Sequence, residues 1–127
     1  MKTRLIAVAL AAAWSSLPAC AAGEVEAAAT SPTELANTRG AVQIKAPYAW
    51  NLPGASGRGV VVGVIDTGVD RAHPEFAGRL LTGASFVTGV ASSQDDNGHG
   101  THVAGTIAAA QNGAGIQGVA YEATILP

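Results

Sequence analysis

Val60-Val61-Val62-Gly63-Val64-Ile65-Asp66-Thr67-Gly68 is the stretch on which the fold turns. From Val60 to Ile65 the chain carries no polar side chain, where a half-exposed strand would alternate apolar and polar residues. An unbroken run of this kind is expected for a strand buried on both faces, the condition of a parallel sheet covered by helices. The run stops at Asp66-Thr67-Gly68. A carboxylate therefore falls at the carboxyl end of the strand, where open α/β sheets carry their sites.

Upstream, Leu52 to Gly59 holds Pro53 and three glycines and reads as a loop. Gln43 to Trp50 reads as a short helix with Pro47 near its start. Residues 23–42, mostly Ala, Glu, Thr and Ser with few large apolar side chains, read as a linker. Downstream, Asp70 to Gly78 is a polar turn region containing His73-Pro74, and Leu80 to Val87 is a second strand candidate. Gly89 to Gly98 is a loop. Thr101 to Ala110 is expected as a helix with Val103, Ile107 and Ala110 on one stripe. Gly105 inside it costs about 1 kcal/mol against Ala, which suits a close helix-to-sheet contact. Asn112 to Gly115 breaks the helix, and Val119 to Leu126 begins a further strand. The expected class is α/β: a parallel sheet with helices on both faces.

The 127 residues amount to one domain at most, and the net charge of −2 with 13% charged residues shows no basic stripe. Nucleic acid is excluded as an expected partner. The lone cysteine, Cys20, supports neither a disulfide framework nor a zinc knuckle. Residues 1–22 read as a signal peptide: Lys2 and Arg4 are the charged start, Leu5 to Trp14 the apolar stretch, and small residues follow. The protein is expected to be exported. Leu17-Pro18-Ala19-Cys20 is similar to a bacterial lipobox, in which Cys20 would be lipidated, although Pro18 departs from that pattern. Ala19-Cys20-Ala21 offers ordinary cleavage instead.

The chemistry gathers in Asp66 and in Asp95-Asp96-Asn97-Gly98-His99-Gly100-Thr101-His102-Val103-Ala104-Gly105. A carboxylate that accepts the Nδ1–H of His99 fixes the imidazole tautomer and leaves Nε2 free as a base. The partial positive charge at a helix start is expected to disfavour the imidazolium. Gly98 and Gly100 leave room beside the ring. Asp66, His99 and His102 could instead converge on a metal, since the two histidines are three residues apart.

Val64-Ile65-Asp66-Thr67-Gly68-Val69-Asp70, His73-Pro74-Glu75-Phe76 and His99-Gly100-Thr101-His102-Val103-Ala104-Gly105-Thr106 resemble the subtilisin family of serine peptidases. Gln43-Ile44-Lys45-Ala46-Pro47 and Gly83-Ala84-Ser85-Phe86-Val87 add to the likeness, which covers residues 43–127. The resemblance implies a secreted serine endopeptidase with Asp66 and His99 as two members of an Asp-His-Ser triad. It implies Asn97 and Gly98 beside the substrate and His102 as a helix-buried structural histidine rather than a ligand. His73 reads as a turn residue. Protein or peptide substrates would be the partners, with no cofactor required for chemistry.

The family's third signature, which holds the nucleophile, has no match among Ser15, Ser16, Ser31, Ser56, Ser85, Ser92 and Ser93. Residues 43–127 are therefore expected to be the N-terminal part of a catalytic domain. The chain alone is expected to be inactive, and a non-catalytic exported remnant is the rival reading. About twenty residues separate Cys20 from Gln43, too few for a folded pro-domain. Together with Tyr48-Ala49-Trp50 and Pro74-Glu75-Phe76-Ala77-Gly78-Arg79, this is similar to the autotransporter subtilases of Gram-negative bacteria. In those a C-terminal barrel reaches the membrane, which Cys20 would otherwise do through a lipid. The expected location is extracellular, periplasmic or on the cell surface. The resemblance also implies a structural calcium loop, with the Asn112 side chain, the carbonyls of Ala110, Ala114 and Ile116, and Glu75 in place of the family's aspartate. The family's N-terminal glutamine ligand falls near Leu35. The competing reading is a plain Asn-Gly turn closing the helix.

Overall fold

The computed structural model describes residues 31–127. The expected signal peptide of residues 1–22, Cys20 within it and residues 23–30 of the expected linker lie outside them. Three short helices come first: α1 (Pro32–Asn37), α2 (Arg39–Gln43) and α3 (Ala46–Trp50). Strand β1 (Val61–Gly63), a 3₁₀ turn at Pro74–Phe76, helix α4 (His99–Ala108) and strand β2 (Thr124–Leu126) follow. Among the described residues no helix is long and apolar enough to cross a membrane.

β1 and β2 pair in parallel, with Val61 opposite Thr124, Val62 opposite Ile125 and Gly63 opposite Leu126. Parallel neighbours need a crossover, and α4 lies in that connection. On the other side of β2, Leu80 forms a parallel bridge to Ile125. Ile125 N donates to Arg79 O at 2.8 Å and Leu81 N donates to Ile125 O at 2.9 Å. The strand expected over Leu80–Val87 is thus reduced to this one bridge. Gly83 turns the chain at φ 70°, and a Cβ there would meet Pro127 O at 2.5 Å. The strand expected over Val119–Leu126 contracts to its last three paired residues. Val119 and Ala120 instead donate backbone hydrogen bonds to Thr106 and Ile107 of α4.

The core is small and tightly spaced: Val64, Val69, Phe76, Ala104, Ala108, Ala123 and Ile125, with Val62, Leu80, Val103 and Ile107 packed against it. α4 contributes mostly alanine and glycine, so its axis comes close to the sheet. It starts two residues earlier than expected, at His99, because Gly98 takes the left-handed conformation at φ 96°. It ends at Ala108, where Ala109 turns extended with ψ 139°. Val62 and Val64 face the core, while Val61 and Ile65 point the other way and are exposed among the described residues.

The expected linker is corrected from Pro32 onward, where the chain is helical. Ser31 Oγ accepts from Thr33 N, Pro32 opens the first turn, and Thr38 Oγ1 donates to Glu34 O at 2.7 Å. The segment is bound to the loop after α4. Asn37 Nδ2 donates to Gly115 O, Gln117 N donates to Thr38 Oγ1, and Trp50 Nε1 donates to Val119 O, each at 2.9 Å. Trp50 also meets Tyr121 edge-on, with ring centroids 6.0 Å apart.

Candidate active site

Asp66 stands just past the end of β1 and His99 is the first residue of α4. Nδ1 of His99 lies 2.8 Å from Oδ1 and 3.0 Å from Oδ2 of Asp66. The Asp66 side chain is 17% exposed and the His99 side chain 67% exposed, so the ring is held at one edge and open elsewhere. The hydrogen bond and negative charge of Asp66 raise the His99 pKa above its ordinary value, against the effect of burial. The hydrogen bond from His99, then the Thr67 N–H, holds Asp66 below the usual carboxylate range. The expected disfavouring of imidazolium by the helix start is therefore outweighed: the carboxylate is in contact, and the helix end carries only a fraction of a charge.

Asp95 is the residue that sequence reading missed. Its Oδ1 accepts from Thr67 Oγ1 at 2.8 Å, Asn97 N at 3.0 Å and Gly98 N at 2.9 Å. Its Oδ2 accepts from Thr101 N at 2.9 Å and from the Thr101 hydroxyl. Burial pushes its pKa up, but the donors from Thr101, Gly98 and Asn97 together hold it well below the carboxylate range. The available signal was an aspartate shortly before a helix, the residue type that satisfies first-turn N–H groups. Asn97 and Gly98, expected beside a substrate, are exposed and turn their N–H groups to Asp95.

His102 is exposed rather than buried, which corrects the sequence expectation. The buried face of α4 runs through Gly100, Ala104, Gly105 and Ala108. Position 102 is two residues, more than half a turn, from Gly100 and Ala104. It lines a cleft with Asp70, His73 and Gln94. His73 caps the 3₁₀ turn, its Nδ1 accepting from Glu75 N at 3.3 Å, with its ring 5.5 Å from Phe76. The described serine hydroxyls are engaged locally: Ser31, Ser56, Ser85 and Ser92 accept from nearby backbone N–H groups, and Ser93 donates to Thr82 O.

A second cluster surrounds the loop after α4. Asn112 Nδ2 donates to Glu75 Oε2 at 3.2 Å, and Asn112 Oδ1 accepts from Ala114 N at 2.9 Å. Ala110, through its N–H, donates to Glu75 O at 3.2 Å, and Ile116 is half-buried beyond the turn. Glu34, one residue before Leu35, is fully buried beside the same loop. Its Oε1 accepts from Asn112 N at 2.8 Å, while its Oε2 has no hydrogen-bond partner among the described residues. Among the described residues neither Glu34 nor Glu75 joins an ion pair. Two buried carboxylates and an orphaned oxygen suit a cation with oxygen ligands. The Ser31-Pro32-Thr33-Glu34 order instead resembles a capping box, a local signal that conceals a long-range role.

The class so defined is an α/β protein with a carboxylate–histidine pair at the carboxyl end of a parallel strand. Residues 57–127 match the subtilase family, and the chain belongs to it. Subtilisin BL of Lederbergia lenta is 51% identical over 86 residues, covering 68% of this chain and 30% of that protein. An intracellular serine protease of Paenibacillus polymyxa is 48% identical over 92 residues, covering 69% of this chain and 28% of that protein. Among solved structures, the Aeromonas sobria serine protease, in complex with its chaperone, superposes with TM-score 0.53 at 36% identity, covering 62% of this chain and 14% of that one. The MycP3 protease of a type VII secretion system superposes with TM-score 0.51 at 35% identity, covering 81% and 25%. The chain thus spans less than a third of the length of these relatives.

Proposed function

We propose that this chain carries the Asp–His half of the catalytic centre of an exported serine endopeptidase, within residues 43–127 as the N-terminal part of the catalytic domain. The contact of 2.8 Å between His99 Nδ1 and Asp66 carries the reading. With Nδ1–H donated to Asp66, His99 Nε2 accepts a proton from a serine hydroxyl as its oxygen attacks the peptide carbonyl. Asp66 stabilises the imidazolium that forms, and His99 returns the proton to the leaving amine. The attacking serine belongs to a segment outside this sequence, so the chain alone is inactive. Asn97 and Gly98 form the exposed floor beside the ring, where the substrate backbone passes.

Calcium serves structure, not chemistry. Glu75, the Asn112 side chain and the carbonyls of Ala110, Ala114 and Ile116 would hold it, joined by Glu34. The ion would neutralise carboxylates that form no ion pair among the described residues.

Export follows from residues 1–22, with membrane attachment through a lipid on Cys20 or through a barrel at the far end of the longer protein. Mass spectrometry of the mature N-terminus separates lipidation from ordinary cleavage. The enzymatic reading is tested on the full-length protein with a serine-directed phosphonate. Stoichiometric labelling that His99→Ala abolishes supports it, and labelling indifferent to His99 and Asp66 removes it.

A further inference from the structure

We infer that Asp95 is a positioning residue for the Asp66–His99 pair, locking the first turn of α4 to the end of β1 through the hydroxyl of Thr67. The inference rests on the reading of Asp66 and His99 as an acid–base pair. The His99 ring is largely exposed, so packing does not set its direction. Its backbone is held from both sides instead. The N–H of Gly98 donates to Asp95 Oδ1 and the N–H of Gly100 donates to Thr67 Oγ1, each at 2.9 Å. Thr67 in turn donates its hydroxyl to Asp95, and its own N–H donates to Asp66 Oδ1 at 2.7 Å. Asp66, Thr67, Asp95 and the start of α4 thereby close a ring of hydrogen bonds with the His99–Asp66 contact as one link. A backbone pairing adds to it: Val69 N donates to Ser93 O at 2.9 Å and Asp95 N to Val69 O at 3.4 Å.

The ring requires a carboxylate. Both oxygens of Asp95 only accept, three donors on one and two on the other. An amide at this place would set its NH₂ against N–H or O–H donors whichever way it turned. First-turn N–H groups left without acceptors destabilise the helix start, and His99 is its first residue. Thr67 distinguishes position from charge: Thr67→Val removes the hydroxyl link at nearly constant volume and leaves Asp95 charged.

The test is the titration of His99 in the protein labelled with ¹⁵N-histidine. In the wild type, contact with Asp66 keeps His99 titrating above the ordinary imidazole value and protects a downfield Nδ1–H resonance. Thr67→Val and Asp95→Asn are both expected to shift the His99 titration down toward that value and to lose the resonance. An unaltered His99 in Thr67→Val, with far-ultraviolet circular dichroism showing native helix, overturns the proposal. A shift in Asp95→Asn alone does the same, because charge then accounts for it. If Asp95→Asn fails to fold, Thr67→Val decides. The readout does not depend on peptide hydrolysis, so a failure of the peptidase reading in the phosphonate experiment leaves this result standing.

Discussion

Gly100 lies against the backbone of Gly68, so close that a Cβ on Gly100 would sit 2.1 Å from the Gly68 carbonyl oxygen. The same Cβ would be 3.1 Å from Cβ of Asp66. The first turn of α4 and the segment that follows β1 therefore meet at backbone distance, and this lets a short imidazole reach the carboxylate. Gly100→Ala must push the two elements apart. Overpacking of this kind costs about 1–3 kcal/mol, read as a lower urea midpoint, and His99 should lose its raised titration with it. Gly40→Ala, in α2 with open space around its Cβ position, is expected to stabilise by about 0.5–1 kcal/mol and serves as the control.

In the full-length protein the acid limb of kcat/KM should follow His99. A base works unprotonated, so activity rises with pH through the His99 pKa, which Asp66 raises above 6.5. Asp66→Asn should move that limb to lower pH and reduce the plateau by about 10⁴-fold. His99→Ala should reduce kcat by about 10⁶-fold. A limb that stays in place in Asp66→Asn would assign it to another group.

Acid should destabilise the fold through its depressed carboxylates. Asp95, and with it Asp66, Asp70 and Glu122, has a lower pKa folded than its ordinary value. Each contributes stability above the unfolded pKa that is lost as pH falls through the folded one. The melting temperature should decline from about pH 5 downward, and Asp95→Asn should flatten the decline. Equal slopes in the two proteins would mean that the Asp95 hydrogen bonds survive protonation.

Calcium should raise the melting temperature and a chelator should lower it. At a hundredfold excess over its Kd the ion adds about 2.7 kcal/mol. Glu34→Gln and Asn112→Ala should each diminish the response. A melting temperature indifferent to excess chelator, with no calcium retained after purification, leaves a plain turn at Asn112-Gly113.

Arg79 joins three elements: its guanidinium donates to Ala108 O at 2.7 Å, Ala123 O at 3.0 Å and Glu75 O at 2.5 Å. Arg79→Met would take this donor from the carbonyls of Ala108 at the end of α4 and Ala123 before β2, while Glu75 O keeps the N–H of Ala110. A loss of about 2–4 kcal/mol in urea denaturation is expected. Arg79→Lys should recover little, because a single ammonium cannot span the three acceptors.

The sequence by itself determined the parallel α/β class, the family, and the two motifs that meet at the site. Val60 to Ile65 ending in Asp66, and His99 set between glycines, are local patterns carried by contiguous residues. Tertiary structure decided the rest. Leu80–Val87 has strand composition, but only Leu80 forms a bridge: Gly83 takes a left-handed φ, and Ala84 N donates to Pro127 O beyond it. His102 follows the motif, yet the small residues that face the core leave it outside. Asp95 and Glu34 both look like helix-end residues in sequence; Asp95 does bond N–H groups at the start of α4, whereas Glu34 bonds only the N–H of distant Asn112. Their further roles depend on Thr67, 28 residues away, and on Asn112, 78 residues away. Periodicity and capping act over a few residues and can be read in order along the chain. A buried carboxylate takes its meaning from the donors that surround it, and distant segments bring those together only when the chain folds.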